Sequence, residues 1–299
     1  MAGVDIVEVG PRDGLQNESQ PIDVATRVEL VTRLQAAGLR TIEVGAFVRA
    51  DRVPQMAGSD EVLQQTASLD IDQRICLVPN AKGLDRARQA GLLHAAVFIA
   101  VSETFNQRNS NCSVAEGLAI SQQVIEQAIA EGMHVRGYVS TVAGCPYEGA
   151  TRVADVVRVA AALHRAGCYE ISLGDTIGVG MPRQVREIVR AVAGEVPVSA
   201  LAFHGHDTYG MGIANALAAI EEGVRRIDAS VGGLGGCPFG GPNAKGNLAT
   251  EDLVYALGNE GLARPIDLVS LVTTSWWLST FTGHDPRASV AHALRNRPL

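Results

Sequence analysis

The chain is long enough to bury a large core, and its charge balance excludes some partners. It has 299 residues and a formal net charge of −7. Nucleic acid is therefore not an expected partner, because phosphate contacts need clustered Lys and Arg. No apolar run approaches the roughly 18 residues of a membrane span, so no membrane partner is predicted. Five cysteines without a C-x-x-C pair indicate reduced thiols, and we expect a cytoplasmic protein.

Short β-branched runs alternate with helical stretches eight times along the chain. The strands are predicted near residues 4–9, 41–46, 74–78, 95–101, 134–141, 169–174, 198–204 and 227–232. The helices are predicted at 24–37, 60–67, 81–90, 113–131, 151–166, 181–193, 210–223 and near 250–258. Glycines such as Gly38 and Gly167 are placed to end a helix just before the next strand.

Eight βα units without a linker predict a closed (β/α)8 TIM barrel. We expect one catalytic domain over residues 1–299, in which 261–299 form a C-terminal helical extension. An open doubly wound sheet is the alternative, but Gly10-Pro-Arg-Asp-Gly14 is not the G-x-G-x-x-G turn that it would need. Barrel active sites lie at the carboxyl ends of the strands, where the following residues are predicted to converge: Arg12, Asp13, Glu43, Asn80, Asp175, His204, His206 and Cys237.

Two histidines two residues apart carry the strongest chemical signal. Side chains alternate faces along a strand, so His204 and His206 would point the same way and could hold one metal ion. Asp13 is a plausible third ligand, and the carbonyl of Asn247 a fourth. This oxygen and nitrogen set without thiolates favours Mg²⁺ or Mn²⁺. A lone strand histidine is more often a hydrogen-bonded core residue, but the paired spacing and the acid at another strand end favour the metal interpretation.

Arginine and carboxylates at the same strand ends allow two interpretations each. Arg12 could stabilise an oxyanion, or form an ordinary ion pair with Glu43. Glu43 is predicted to face inward, where a structural role is as plausible as a functional one. Asp175 could orient a metal-binding histidine or anchor a turn.

A glycine-rich segment precedes the last predicted helix. Gly232-Gly-Leu-Gly-Gly236 suits a phosphate contact or a loop that closes, and Cys237 within it is a candidate proton donor. Residues 250–258 begin a helix with Thr250 or Asn247 as its cap. Glu251 and Asp252 are then expected to be first-turn carboxylates.

Several long motifs together resemble one family. The segments Val9-Gly-Pro-Arg-Asp-Gly-Leu-Gln-Asn-Glu18, Arg136-Gly-Tyr-Val-Ser140 and Gly246-Asn-Leu-Ala-Thr-Glu-Asp252 resemble 3-hydroxy-3-methylglutaryl-CoA lyases, metal-dependent barrel enzymes. The resemblance implies cleavage of this acyl-CoA substrate to acetyl-CoA and acetoacetate. It also implies roles for residues at matching positions: a metal shell of Asp13, His204, His206 and Asn247, enolate stabilisation by Arg12, proton transfer by Cys237, and polar neighbours in Glu43, Gln16 and Asp175.

The chain departs from that family near the expected pocket mouth. Asp51 stands where many such lyases have lysine, and the loop after Cys237 is one residue longer. These differences leave citramalyl-CoA or another branched 3-hydroxyacyl-CoA as an alternative substrate. The candidate substrate contacts are Arg12, Gln16, Asn80, Arg49 and Arg108. The candidates for the CoA phosphates are Arg49, Arg52, Lys82 and Arg108.

The sequence leaves two other classes of function as alternatives. A condensing synthase of the same superfamily would use a similar metal shell, but such enzymes commonly carry a further C-terminal domain. A non-catalytic barrel is disfavoured because the apparent ligands, Arg12 and Cys237 are all present. The extra C-terminal helices make a homodimer or a higher homo-oligomer plausible.

Overall fold

Eight parallel strands close into a barrel. The structure is a computed structural model that describes residues 3–236 and 246–295. Each barrel strand pairs with its neighbours along the chain, and the first strand pairs with the last to close the ring, as the (β/α)8 prediction requires. The barrel strands are β1 (Asp5–Glu8), β2 (Thr41–Ala46), β3 (Gln73–Leu77), β4 (His94–Ala100), β5 (His134–Ser140), β8 (Glu170–Asp175), β9 (Leu201–Gly205) and β10 (Arg226–Ala229).

A short hairpin and a ring of helices complete the described fold. The hairpin strands β6 (Gly144–Cys145) and β7 (Gly149–Ala150) lie between β5 and α6. The helices are α1 (Val24–Ala36), α2 (Ser59–Gln65), α3 (Ala81–Gln89), α4 (Glu103–Ser110), α5 (Val114–Ala130), α6 (Val153–Arg165), α7 (Pro182–Ala193), α8 (Gly212–Glu221), α9 (Thr250–Gly261), α10 (Leu268–Thr282) and α11 (Ser289–Leu294). Each of these helices falls short of the length and apolar character that a membrane crossing requires.

The hydrophobic pattern explains where the core lies. Every residue of β2 is buried, because helices cover the outer face of a parallel barrel while the inner face packs on itself. On α7 the buried residues recur at helical spacing and form one apolar stripe: Val185, Ile188, Val189 and Val192. Gly38 and Gly167 have the positive φ that ends a helix, as predicted.

Some predicted boundaries are wrong. The apolar run 198–204 is not one strand, because Val198–Ala200 form a 3-10 turn and β9 begins only at Leu201. The last barrel strand ends at Ala229, before another 3-10 turn, Val231–Gly233. A helix that the sequence pattern did not predict, Glu103–Ser110, lies between the predicted strand 95–101 and the predicted helix 113–131.

The C-terminal helices pack beside the barrel and contact its catalytic end. Asp252 accepts backbone hydrogen bonds from Ser289 and Val290 at the start of α11. His284 contacts the Glu18 carboxylate at 3.1 Å, and the Arg287 guanidinium donates to the Gly235 carbonyl. The extension therefore braces the segments that follow β1 and β10. The assignment of 1–299 to one domain stays a prediction.

Candidate metal centre at the carboxyl end of the barrel

Three side chains from two regions of the chain form a cluster that could hold a metal ion. Asp13 lies in a π-helical turn, Gly10–Gly14, directly after β1, whereas His204 is on β9 and His206 follows that strand. One potential ligand atom from each of the three lies within 4.8 Å of the others. The two imidazole centroids are 5.3 Å apart, so both rings face the cluster as strand alternation predicts.

Asn247 completes the donor set. Its amide nitrogen donates to the Asp13 carboxylate at 2.9 Å and to the Leu234 carbonyl at 3.0 Å. This arrangement leaves the Asn247 Oδ1 atom buried without a hydrogen-bond partner among the described residues. A buried carbonyl oxygen is costly to leave unpaired, whereas a metal ion would satisfy it. The oxygen and nitrogen donors therefore fit a divalent cation.

A neighbouring charge and burial keep Asp13 and His206 in their metal-binding protonation states. Burial alone would raise the pKa of Asp13, but the adjacent Arg12 guanidinium holds that pKa well below its usual range. Burial lowers the pKa of His206 to about 4, so its imidazole is neutral at neutral pH. A neutral imidazole and an ionised carboxylate are the forms that coordinate metals.

Arg12 is a buried cation at the edge of this cluster. Its guanidinium contacts Asp13 at 2.6 Å and Glu43 at 2.8 Å, so the expected ion pair with Glu43 is present. The guanidinium carbon also lies 5.6 Å from the ring centroid of Tyr138. Two carboxylates and an aromatic face thus fix the orientation of Arg12, which lines the cavity described below.

A second buried ionic network lies behind the histidines, and sequence reasoning missed it. Asp228 on β10 contacts His204 Nδ1 at 3.2 Å and receives hydrogen bonds from the Arg136 guanidinium and the Ser172 hydroxyl. Arg136 also donates to the hydroxyl of Tyr138. The sequence signal was a charged residue inside each of two predicted strands, Arg136 in 134–141 and Asp228 in 227–232.

Asp175 takes one of its two expected roles. Its carboxylate accepts the backbone N–H groups of Val179 and Gly180 at 3.1 and 2.9 Å, so it anchors the turn after β8. Burial raises the pKa of Asp175 to about 6. The carboxylate that contacts His204 Nδ1 is that of Asp228 instead.

Two buried carboxylates support the turn after β10. Glu8 accepts the N–H of Val231 and the hydroxyl of Thr250, and Glu251 accepts the N–H of Gly232. Glu251 and Asp252 lie in the first turn of α9, as predicted, and Glu251 is in addition fully buried. The cap prediction is wrong, because α9 has Ala249 at its N-cap and the Thr250 hydroxyl donates to Glu8.

The cluster opens into a cavity of about 220 Å³. Arg12 and Gln16 line it, but the other expected substrate contacts are not among its described lining residues. Asn80 caps α3 by accepting the Gly83 N–H, Arg49 pairs with the exposed Asp51, and Arg108 lies over a tyrosine ring. Cys237 lies outside the described residues. The cavity is lined by Arg12, Asp13, Gln16, Asn17, Leu77, Phe98, Phe105, Asn109, Tyr138, Val139, Ser140, Gly174, Thr176, His204, His206 and Gly236.

Fold and site together define a barrel enzyme with a candidate metal centre at the strand ends. Residues 3–277 match the sequence model of the family described as HMGL-like. A hydroxymethylglutaryl-CoA lyase from Pseudomonas mevalonii is 49% identical over 297 residues, which cover 99% of this chain and 98% of that protein. A 3-hydroxy-3-isohexenylglutaryl-CoA/hydroxy-methylglutaryl-CoA lyase from Pseudomonas aeruginosa is 47% identical over 291 residues, which cover 97% of this chain and 97% of that protein.

A solved structure gives the same result. The hydroxymethylglutaryl-CoA lyase structure from Pseudomonas aeruginosa superposes with a TM-score of 0.96 at 46% identity, covering 99% of both chains. The chain therefore belongs to the HMGL-like family of hydroxymethylglutaryl-CoA lyases. It is a carbon–carbon lyase.

Proposed function

We propose that this chain cleaves 3-hydroxy-3-methylglutaryl-CoA to acetyl-CoA and acetoacetate. The observation that carries the proposal is the cluster of Asp13, His204 and His206 beside the buried Arg12 guanidinium, all lining one cavity. The names of the full-length relatives support the acyl-CoA substrate. Breaking the bond between C2 and C3 needs a way to acidify the C3 hydroxyl and a way to hold the carbanion that leaves.

We assign the metal shell to Asp13, His204, His206 and Asn247, and the ion to Mg²⁺ or Mn²⁺. The hard carboxylate and amide oxygens and the lack of thiolates support these ions. When bound, such a cation polarises substrate oxygens and lowers the pKa of a coordinated hydroxyl.

Arg12 is proposed to stabilise the thioester enolate. Its guanidinium is held by Asp13 and Glu43 before substrate arrives, so little reorganisation is needed when negative charge develops on the thioester oxygen. Glu43 acts through Arg12 as its counter-ion. Gln16, which lines the same cavity, is proposed to donate a hydrogen bond to the substrate.

Asp13 and His204 are the two candidate acceptors for the proton of the C3 hydroxyl, and His204 could accept it only while its Nε2 atom is not bound to the metal, because its Nδ1 atom faces Asp228. The pH dependence of kcat distinguishes them. An aspartate with a depressed pKa leaves kcat flat above about pH 4. His204 would give an acid limb above the reference histidine pKa of about 6.5, because burial lowers the pKa of His204 but the Asp228 carboxylate raises it further.

Cys237 is proposed to protonate the departing carbanion. The family resemblance at this position and the adjacent run of glycines support the role. Cys237→Ala should bind Mn²⁺ with unchanged affinity and lose most of its turnover. A variant with wild-type turnover would remove the thiol from the mechanism.

The decisive experiment is a coupled assay for acetyl-CoA release from a panel of 3-hydroxyacyl-CoA thioesters. We expect cleavage of the 3-hydroxy-3-methylglutaryl thioester, loss of that cleavage in EDTA, and recovery with Mg²⁺ or Mn²⁺. Condensation of acetyl-CoA with a keto acid, without cleavage, would instead favour a synthase. No turnover in either direction would refute the proposal.

A second candidate is a branched 3-hydroxyacyl-CoA with a larger C3 substituent, or citramalyl-CoA. The apolar side of the cavity supports it, since Leu77, Phe98 and Phe105 could pack against extra methylenes. One relative carries both substrate types in its name. A higher kcat/KM for such a thioester than for the methyl compound would select this candidate.

The setting of the enzyme is also a proposal. Cys76, Cys112, Cys145 and Cys168 are free thiols, which supports a reducing compartment such as the cytoplasm. We propose that Arg49 and Arg108 reach the CoA phosphates when substrate is bound, with Asn80 nearby. A homodimer or a higher homo-oligomer formed through the C-terminal helices is proposed from their position beside the barrel.

A further inference from the structure

Of the two clustered histidines, only His204 has a carboxylate among the described residues in contact with its Nδ1 atom. Its Nε2 atom faces Asp13 at 3.9 Å, whereas its Nδ1 atom faces Asp228 at 3.2 Å. We infer that Asp228 is a positioning residue, which holds the His204 imidazole in the tautomer that leaves Nε2 free to bind the metal. This inference deepens the proposed function, because it rests on the proposed metal site.

The tautomer matters because a neutral imidazole has one N–H and one lone pair. A carboxylate can only accept hydrogen bonds, so contact with Asp228 requires the proton on Nδ1. The lone pair must then lie on Nε2, the nitrogen that faces Asp13. The opposite tautomer would present an N–H to the metal site and leave two acceptors, Nδ1 and the carboxylate, in contact.

Asp228 is held in place more firmly than this single contact requires. It is 1% exposed, and β10 pairs with β9 so that Asp228 lies directly beside His204. The Arg136 guanidinium donates to both of its oxygens, at 2.6 and 3.2 Å, and Ser172 donates a third hydrogen bond at 2.9 Å. A bidentate guanidinium fixes the plane of the carboxylate, and that plane in turn fixes the imidazole.

The surrounding contacts argue against a purely structural salt bridge. Arg136 already has a second buried acidic partner, because its Nε atom donates to Glu170 at 2.5 Å. Both Asp228 oxygens accept from Arg136, and the Oδ2 oxygen also contacts His204 Nδ1. By contrast, the Nδ1 atom of His206 is buried without a hydrogen-bond partner among the described residues. Among the described residues, a supporting carboxylate is therefore found behind His204 and not behind His206.

The test compares two isosteric variants of the same network. Asp228→Asn replaces the obligate acceptor with an amide that can donate to Nδ1 and stabilise the wrong tautomer. Loss of such an outer partner typically weakens metal binding 10- to 100-fold. We expect the Mn²⁺ Kd to rise by about that factor, measured from the free Mn²⁺ signal in electron paramagnetic resonance. Glu170→Gln removes a carboxylate from the same arginine and should change Kd less than threefold.

Three outcomes of this titration overturn the inference. They are a folded Asp228→Asn variant with wild-type affinity, equal losses in both variants, and wild-type protein that binds no Mn²⁺. Wild-type protein that binds Mn²⁺ but cleaves none of the thioesters refutes the proposed function only, and leaves the Asp228 comparison intact.

A measurement on the wild-type chain covers the case in which Asp228→Asn does not fold. Long-range ¹H–¹⁵N correlation spectra of metal-free protein labelled on its seven histidines report the tautomer of each ring. The signals of His204 are assigned by their loss in His204→Gln. We expect a proton on Nδ1 and none on Nε2 of the neutral ring. A neutral ring with its proton on Nε2 would overturn the inference.

Discussion

Tyr138→Phe should destabilise the protein although it removes only one oxygen atom. The hydroxyl of Tyr138 accepts a hydrogen bond from Arg136 at 2.7 Å and donates one to Glu43 at 3.1 Å. It therefore joins the network behind His204 to the counter-ion of Arg12. Tyr138, Arg136 and Glu43 are all buried, so water cannot replace either hydrogen bond without entering the barrel interior.

The magnitude follows from the charge of the two partners. A hydrogen bond to a charged group contributes about 1.5–3 kcal/mol, so two such bonds set an upper limit of about 6 kcal/mol. The loss is smaller than this limit because Arg136 keeps its carboxylate partners and Glu43 keeps Arg12. We expect about 3 kcal/mol, the sum of the lower values. For a large domain this corresponds to a fall in Tm of about 6–12 °C.

The assay is thermal unfolding followed by circular dichroism at one scan rate and in EDTA. Tyr255→Phe is the matched control, because Tyr255 is 65% exposed and an exposed hydroxyl should change stability by less than about 0.5 kcal/mol. Equal Tm values for the two variants would refute the claim that the Tyr138 hydroxyl links the two buried networks.

Three further predictions follow from the same contacts. Arg12→Lys should lower kcat by about 10²–10³, because a lysine cannot bind both carboxylates and the developing oxyanion; a change below threefold would contradict the assignment. Burial raises the pKa of Glu251 to about 8, above the 4.5 of an unfolded chain. Between these values the folded protein binds more protons, so stability falls as pH rises. In urea unfolding, the wild type and the exposed-site control Glu126→Gln should lose more stability between pH 6 and 8 than Glu251→Gln. Parallel curves of unfolding free energy against pH for the three proteins would count against the burial argument. Asp51→Asn should release Arg49 from its ion pair and lower the KM for the CoA thioester up to about fivefold at low salt. An unchanged KM would show that Arg49 does not reach the substrate.

The barrel could be predicted because its signals are local. Strand runs, helical stripes and helix-ending glycines recur along the chain, and each depends on neighbouring residues only. The errors arose where apolar residues lie outside the barrel strands. Val198–Ala200 have strand-like composition but form a 3-10 turn, because Leu201 is the first residue of this segment to join the barrel sheet.

The candidate site divides in the same way. The spacing of His204 and His206 and the position of Asp13 after a strand could be read directly from the sequence. Asp228 and Arg136 could not, because their partners lie across the barrel: these two residues are 92 positions apart. For Asp175 the sequence left two partners equally plausible, the turn after its strand and a metal-binding histidine. The fold decides between them, because Asp175 binds the turn and Asp228 lies beside His204.

The most direct test of the central claim is to titrate metal-free protein with Mn²⁺ and measure bound metal and thioester cleavage in the same samples. We predict that turnover rises in proportion to bound Mn²⁺, saturates at one ion per chain, and is lost together with tight binding in His206→Gln. Full turnover by protein that contains no metal would contradict the assignment of the cluster at the barrel end.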